Sequence, residues 1–177
     1  LWIWQEYDPS CTYLMSADVA RGDGKDYSAF HIINLNTMEI VAEYQGKMAP
    51  DHFAPFLLSN GNQYGECMIV VENNNIGYTV LEKLKELEYK SVYHSVKSTH
   101  EYVEQYLAEH RSNCVPGFTT SGKTRPMILA KLEEFIRNDI IKIRSSRLLN
   151  ELKTFVWNNN KPEAMRGYND DLVMALA

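Results

Sequence analysis

Three sets of acids in this chain stand where carboxylates call for an explanation: Asp18, Glu72 and the adjacent pair Asp170–Asp171. Asp18 falls in the middle of a strand pattern, Thr12 to Ala20, where Asp is disfavoured. Its neighbours Leu14, Met15, Ala17 and Val19 are apolar, so a buried carboxylate here requires a partner, either a metal ion or an Arg. Glu72 ends Cys67 to Glu72 (CMIVVE), a continuous apolar run with the pattern of a strand buried on both faces. Asn73-Asn74-Asn75-Ile76-Gly77 follows at once, and open α/β sheets place ligand sites at the carboxyl ends of strands. A solvent-facing Glu at a strand end is the simpler alternative. Asp170 and Asp171 precede the apolar run Leu172 to Leu176. One Asp there can cap a helix with no metal, whereas two neighbouring carboxylates repel unless a cation or a proton relieves them. Together the acids form an all-oxygen set, which selects Mg²⁺ or Mn²⁺ over zinc. Two such ions about 4 Å apart can activate a water and stabilise the leaving oxygen in an in-line attack on phosphate.

The elements that must position these acids are legible as periodicities. Thr12 to Ala20, Tyr27 to Leu35 and Met38 to Gln45 read as three strands with short links, an antiparallel meander. Pro50 to Gln63 reads as a helix with Phe53, Phe56 and Leu57 on one face, and Gly77 to Glu88 as a second. Ser91 to Ser95 is a candidate strand. Pro126 to Asn138 is helical with its Pro in the first turn. Asp139 to Arg144 reads as a brief strand, Ser145 to Trp157 as an amphipathic helix, Asn158 to Gly167 as a polar loop, and Asp170 to Ala177 as a last helix. The order predicts an α/β protein, a mixed central sheet with helices on both faces.

The chain has 177 residues, enough for one domain with a proper core, and its 45% hydrophobic and 23% charged composition is that of a soluble globular protein. No stretch has the roughly 18 apolar residues of a membrane span, and no membrane partner is expected. The start has no signal-peptide pattern and no initiator Met, which predicts that the chain is excised from something longer. Cys11, Cys67 and Cys114 form neither a disulfide framework nor a CxxC site. The net charge of −5 hides an asymmetry: residues 1–120 carry 8 Lys and Arg against 16 Asp and Glu, residues 121–166 carry 10 against 5. An acidic half joined to a basic stretch suits a metal site beside a phosphate-binding face, although the charges also read as ordinary solvated surface.

The stretches SADVARGDGKDYSAF (16–30), IVVENNNIG (69–77) and YNDDLVMALA (168–177) resemble the nuclease domain of the large terminase subunit of tailed bacteriophages, the T-even type especially. The resemblance covers nearly the whole chain. It implies an RNase H-like (RuvC/integrase-type) fold with a catalytic acid triad on Asp18, Glu72 and Asp170, with Asp171 as the alternate and further ligand. It implies residues 1–10 as a lead-in from a preceding ATPase motor domain and residues 11–177 as the nuclease domain. The activity it implies is a Mg²⁺- or Mn²⁺-dependent endonuclease with two ions, cutting concatemeric double-stranded viral DNA with little sequence preference. Asp18 then bridges both ions, Glu72 holds one and Asp170 the other. The implied partners are the motor domain, the portal protein and the small terminase subunit, on a prohead in the host bacterial cytoplasm.

Around the acids, the loop Arg21-Gly22-Asp23-Gly24-Lys25-Asp26 offers Asp23 or Asp26 as accessory carboxylates and Lys25 to phosphate, or else is a plain turn with solvated charges. Gly117 to Thr124 matches the phosphate-loop pattern GxxxxGK[ST]. Only Cys114-Val115-Pro116 precedes it, however, and Arg125-Pro126 biases residue 125 away from helical dihedrals, so a DNA-backbone loop suits it better than an ATP site. Candidate phosphate contacts are Lys123, Arg125, Arg137, Lys142, Arg144, Arg147, Lys161 and Arg166, each also readable as a solvated charge. His31, His52, His94, His100 and His110 show no ligand spacing, though His94 near a strand end could approach the site. Trp2, Trp4 and Trp157 are expected in core or interdomain contacts. A junction resolvase or transposase-type enzyme of the same fold, a P-loop ATPase and a non-catalytic DNA-binding module are the rival readings.

Overall fold

The computed structural model describes residues 1–177 apart from 98, 100, 105, 106, 109, 111, 159 and 160. His100 and residues 159 and 160 of the expected polar loop therefore lie outside the described residues. Among those described, no helix is long and apolar enough to cross a membrane.

The expected meander is present as β2 (Tyr13–Asp18), β3 (Ser28–Asn34) and β4 (Glu39–Gly46), all antiparallel. Residues 2–3 add β1 (Trp2–Ile3) outside β4, and β5 (Met68–Val71) joins β2 in parallel, giving the order β1-β4-β3-β2-β5. A parallel neighbour of β2 needs a crossover, which α1 (Pro50–Gln63) supplies, and α2 (Gly77–Glu86) follows β5. Both helices cover one sheet face, where Met15, Ala17, Phe30, Ile32, Phe53, Leu57, Ile69, Val80 and Leu84 close a core. The opposite face carries α3 (Thr124–Arg137), α4 (Ser146–Thr154) and α5 (Asp171–Leu176), with a second core of Ala29, Ile33, Ile40, Leu132, Leu148 and Leu172. Since strand side chains alternate, Tyr13, Met15 and Ala17 face the first core and Asp18 faces the α5 side.

Four expectations are corrected. The Ser91–Ser95 segment contributes β6 (His94–Val96) to a separate small sheet with β7 (Tyr102–Val103) and β8 (Cys114–Pro116), in the order β7-β6-β8. The strand over Asp139–Arg144 is reduced to one bridge, Lys142 to Glu39, because residues 2–4 already take the edge of β4 beyond it. The helix expected to reach Trp157 stops at Thr154. Phe155–Asn158 forms β9 instead, paired antiparallel with β10 (Lys161–Ala164) inside the expected polar loop, as the aromatic and β-branched run Phe155-Val156-Trp157 prefers. Finally, Trp157 on this hairpin is 65% exposed, so of the two placements expected for it the core is excluded.

Candidate active site

The parallel register that sets Ala17 opposite Val71 brings the next two residues, Asp18 and Glu72, side by side, with the Glu72 N–H on the Ala17 carbonyl at 3.1 Å. The two carboxyls touch, and burial, then the adjoining Glu72 charge, then the Asp171 charge drive Asp18 far above the usual carboxylate range. The chain must leave β5 sharply to keep this place open. Gly77, opening α2, packs so tightly on the Glu72 carbonyl that a Cβ would overlap it. Asn74, inside that turn, donates to Glu72 Oε1 at 2.9 Å and to the Thr120 carbonyl at 2.6 Å, so the Asn run fixes the Glu72 side chain. The sequence marked the run as polar without disclosing that task.

The adjacent aspartates part company. Asp170 precedes α5, makes no capping bond, and its Oδ2 accepts from Arg125 Nη2 at 2.8 Å. Asp171 is buried, with Oδ2 accepting from Asn169 Nδ2 at 3.0 Å, and burial first, then the Asp26 and Asp170 charges, raise it to about 6. The Asp171 charge is felt at Asp18. Asp18, Glu72, Asp170 and Asp171 line one open cavity of ≈ 390 Å³, together with Arg21, Asp26, Tyr27, Asn74 and Arg125. Among the described residues, no three acids, thiols or imidazoles already stand in a ready-made ligand cluster. The contact is pairwise, Asp18 with Glu72, and Asp171 stands behind it. The donor chemistry still fits a hard divalent cation: only oxygens are offered, and the repulsion between Asp18 and Glu72 is what a cation relieves.

Of the accessory residues, Asp26 lines the cavity, while Asp23 is exposed in an ion pair with Arg21 at 3.0 Å and Lys25 is absent from the lining. The basic residues divide. Lys123 and Arg166 are exposed, and Arg125 and Lys161 line a neighbouring groove with Ser121, Gly122 and Pro162. Arg147 is corrected: it pairs with fully buried Glu43 at 2.8 Å and covers the Trp2 ring at 3.7 Å. Arg144 pairs with Glu39 at 2.7 Å and Arg137 with Glu133 at 2.8 Å. Arg144 and Lys142 both stand by Glu39, at the end of the sheet opposite Asp18. His94 lines a separate cavity with Tyr78 and Cys114, and His31 is buried with Nε2 on the Leu172 carbonyl at 2.9 Å.

The Gly117–Thr124 loop does lead directly into a helix, since α3 begins at Thr124 and includes Arg125, contrary to the expectation from Pro126. The rest differs from a nucleotide cradle. The preceding β8 is an antiparallel edge strand of three residues, and the buried Thr124 hydroxyl is spent inside the loop, accepting from Ser121 N at 2.8 Å and donating to the Thr119 carbonyl at 2.9 Å.

No protein-family model matches the sequence. The structure is similar to the large terminase nuclease of thermophilic phage G20c with bound magnesium (TM-score 0.74, 17% identity, covering 98% of this chain and 82% of that one). It is similar also to the large terminase nuclease domain of Thermus phage P74-26 (TM-score 0.71, 19% identity, 98% and 80% covered). A more distant likeness is to the human cytomegalovirus terminase nuclease domain, manganese-soaked and inhibitor-bound (TM-score 0.55, 12% identity, 94% and 80% covered). The chain thus has the fold of the terminase nuclease domains, an RNase H-like mixed sheet with helices on both faces.

Proposed function

We propose that this chain is the nuclease domain of a viral large terminase, of the T-even phage type its motifs resemble, and that it cuts double-stranded DNA with little sequence preference. The observation that carries this reading is the cavity at the carboxyl ends of β2 and β5, whose lining Asp18, Glu72 and Asp171 share, with no ion pair to Asp18 or Glu72 among the described residues. Asp18, Glu72 and Asp171 are the residues to hold a divalent cation, Mg²⁺ or Mn²⁺ and in the two-ion form, with Asp170 and Asp26 in support. Such ions supply the positive charge that activates water and stabilises the leaving oxygen of a phosphodiester. Asn74 keeps the Glu72 carboxylate turned into the cavity. Arg125, held at the rim by Asp170, is placed to meet a phosphate, and Lys123, Lys161 and Arg166 extend the basic border on which a duplex backbone can lie. The same reading takes residues 1–10 as the lead-in from a motor domain. It places the protein at the prohead in the host cytoplasm, with the portal and the small terminase subunit as partners.

Plasmid cleavage in Mg²⁺, Mn²⁺ or EDTA tests this, with the wild type and Asp18→Asn, Glu72→Gln, Asp171→Asn and Asp170→Asn. Cleavage needing the metal, abolished by the first three and reduced by the fourth, is expected. Cutting in EDTA, or full activity in Asp18→Asn, overturns the reading. Preference for branched over linear DNA points to a resolvase of the same fold instead.

A further inference from the structure

An Asp at the start of a helix ordinarily turns its carboxylate back onto the first free backbone N–H groups. In α5 neither aspartate does so. Asp170 makes no side-chain cap and reaches out to Arg125, and Asp171 takes the Asn169 amide. The N–H groups of α5 are satisfied from another element: Glu151, on α4, accepts from Leu172 N at 2.8 Å and from Val173 N at 3.2 Å through the same oxygen, Oε2. Its other oxygen, Oε1, accepts from Gln45 Nε2 at 2.6 Å, and Gln45 stands on β4. The helix has only six residues, so these bonds from outside are a large share of what fixes its first turn.

We infer that Glu151, held by Gln45, is a positioning residue for the candidate site: it caps α5 in place of Asp170 and Asp171 and so leaves both carboxylates turned toward the cavity. The inference rests on the nuclease reading above and deepens it. Removing the Glu151 carboxylate returns the Leu172 and Val173 N–H groups to the search for an acceptor, and an Asp at the helix start, such as Asp170 at the N-cap, is the ordinary one. The site then loses a ligand to the helix without losing any ligating residue from the sequence.

The test uses Glu151→Ala, Glu151→Gln and the exchanged pair Gln45→Glu/Glu151→Gln. In the exchanged pair the new amide on α4 can offer its oxygen to α5 while its nitrogen donates to the new carboxylate on β4. Mn²⁺ binding is read by electron paramagnetic resonance or calorimetry, cleavage as kcat and KM for plasmid, and the fold by circular dichroism. Glu151→Ala should weaken Mn²⁺ binding by about 10- to 100-fold, the range for groups that support metal ligands. It should lower kcat with KM for DNA little changed, and the exchanged pair should recover most of what Glu151→Gln loses. Wild-type Mn²⁺ affinity and kcat in folded Glu151→Ala overturn the positioning role alone, provided Asp18→Asn abolishes cleavage. Wild-type protein that neither binds Mn²⁺ nor cuts DNA overturns the nuclease reading and this inference with it. Should Glu151→Ala not fold, the other two variants decide: a loss in Glu151→Gln restored by the exchange supports the role, and a loss of the same size in both overturns it.

Discussion

Two groups of enclosed acids share the α3–α5 side of the sheet, and they are furnished differently. Glu43 is fully buried and meets the Arg147 guanidinium at 2.8 Å. Glu151 has two backbone N–H groups and the Gln45 amide, yet burial still lifts it to about 7. Asp18 has instead another carboxyl, Glu72, in contact and a third, Asp171, behind it. A fold gains nothing in stability from uncompensated acids packed together, and a proton or a cation must relieve them. On the function proposed above, the difference separates acids that serve the fold from acids that would serve chemistry.

The strongest way to break this comparison is to treat both kinds alike by mutation. Asp18→Asn should reduce Mn²⁺-dependent cleavage on the order of 10³-fold, as loss of a group that organises transition-state charge does. It should leave the urea midpoint in EDTA equal to the wild type's or higher, since a repulsive charge is removed. A variant that still cuts DNA but unfolds more easily makes Asp18 a structural acid and dissolves the distinction. Glu43→Ala should do the reverse. It strands the Arg147 charge and costs about 3 kcal/mol of stability, the scale for halving a buried ion pair, while the protein that remains folded still binds Mn²⁺. Urea unfolding and Mn²⁺ titration on the same sample check both halves.

The same contrast explains what could be read in advance. Asp18 was legible because a carboxylate among Leu14, Met15, Ala17 and Val19 contradicts its surroundings, and Glu72 because it ends the most apolar strand before a polar turn. The choice between Asp170 and Asp171 was not legible. Adjacent residues at a helix start point about 100° apart, and although both line the cavity, what each one meets there, Arg125 for Asp170 and Asn169 for Asp171, depends on how α5 seats on β2, β3 and α4. Arg147 looked like a surface cation because its partner, Glu43, is 104 residues away in the chain. Glu151 sat unremarked on an amphipathic helix for the same reason: its bonds reach α5 and β4, and only the fold brings them near. The meander, α1 and β5 came from local periodicity. The β9–β10 hairpin did not, because Phe155 and Val156 continue the helical spacing of Leu148 and Leu152 before turning into a strand.

The basic residues sharpen the comparison on a smaller scale. Lys161 borders the groove beside the cavity, whereas Lys142 stands by Glu39 at the far end of the sheet. Lys161→Ala should weaken DNA binding evenly across sequences and reduce the slope of log affinity against log salt by about one. Lys142→Ala and Arg144→Ala should leave that slope unchanged. Fluorescence anisotropy over a salt series with Ca²⁺ in place of Mg²⁺ measures it, and equal slopes for all three variants remove the distinction between the two ends.

The smallest effect expected belongs to His31, which lies among the compensated acids. Its Nε2 donates to the Leu172 carbonyl at 2.9 Å, and its Nδ1 faces Glu43 Oε2 at 3.7 Å, beyond hydrogen-bond reach. Burial lowers its pKa from the ordinary 6.5, and the Glu43 charge opposes that shift only in part, with Arg147 already neutralising Glu43. The folded protein therefore binds this proton less readily than the unfolded chain, so the unfolded state holds more protons just below pH 6.5. The stability contributed by neutral His31 is fully present above that pH and is lost as pH falls through it. Urea midpoints between pH 7.5 and 5.5 should accordingly decline more in the wild type than in His31→Gln, whose amide can keep the bond to Leu172 without titrating. A midpoint that falls less in the wild type than in His31→Gln instead shows His31 protonated and paired with Glu43, the raised Asp18, Glu151 and Asp171 being common to both proteins. Glu43 would then share two cations, and the contrast with Asp18 would be wider still.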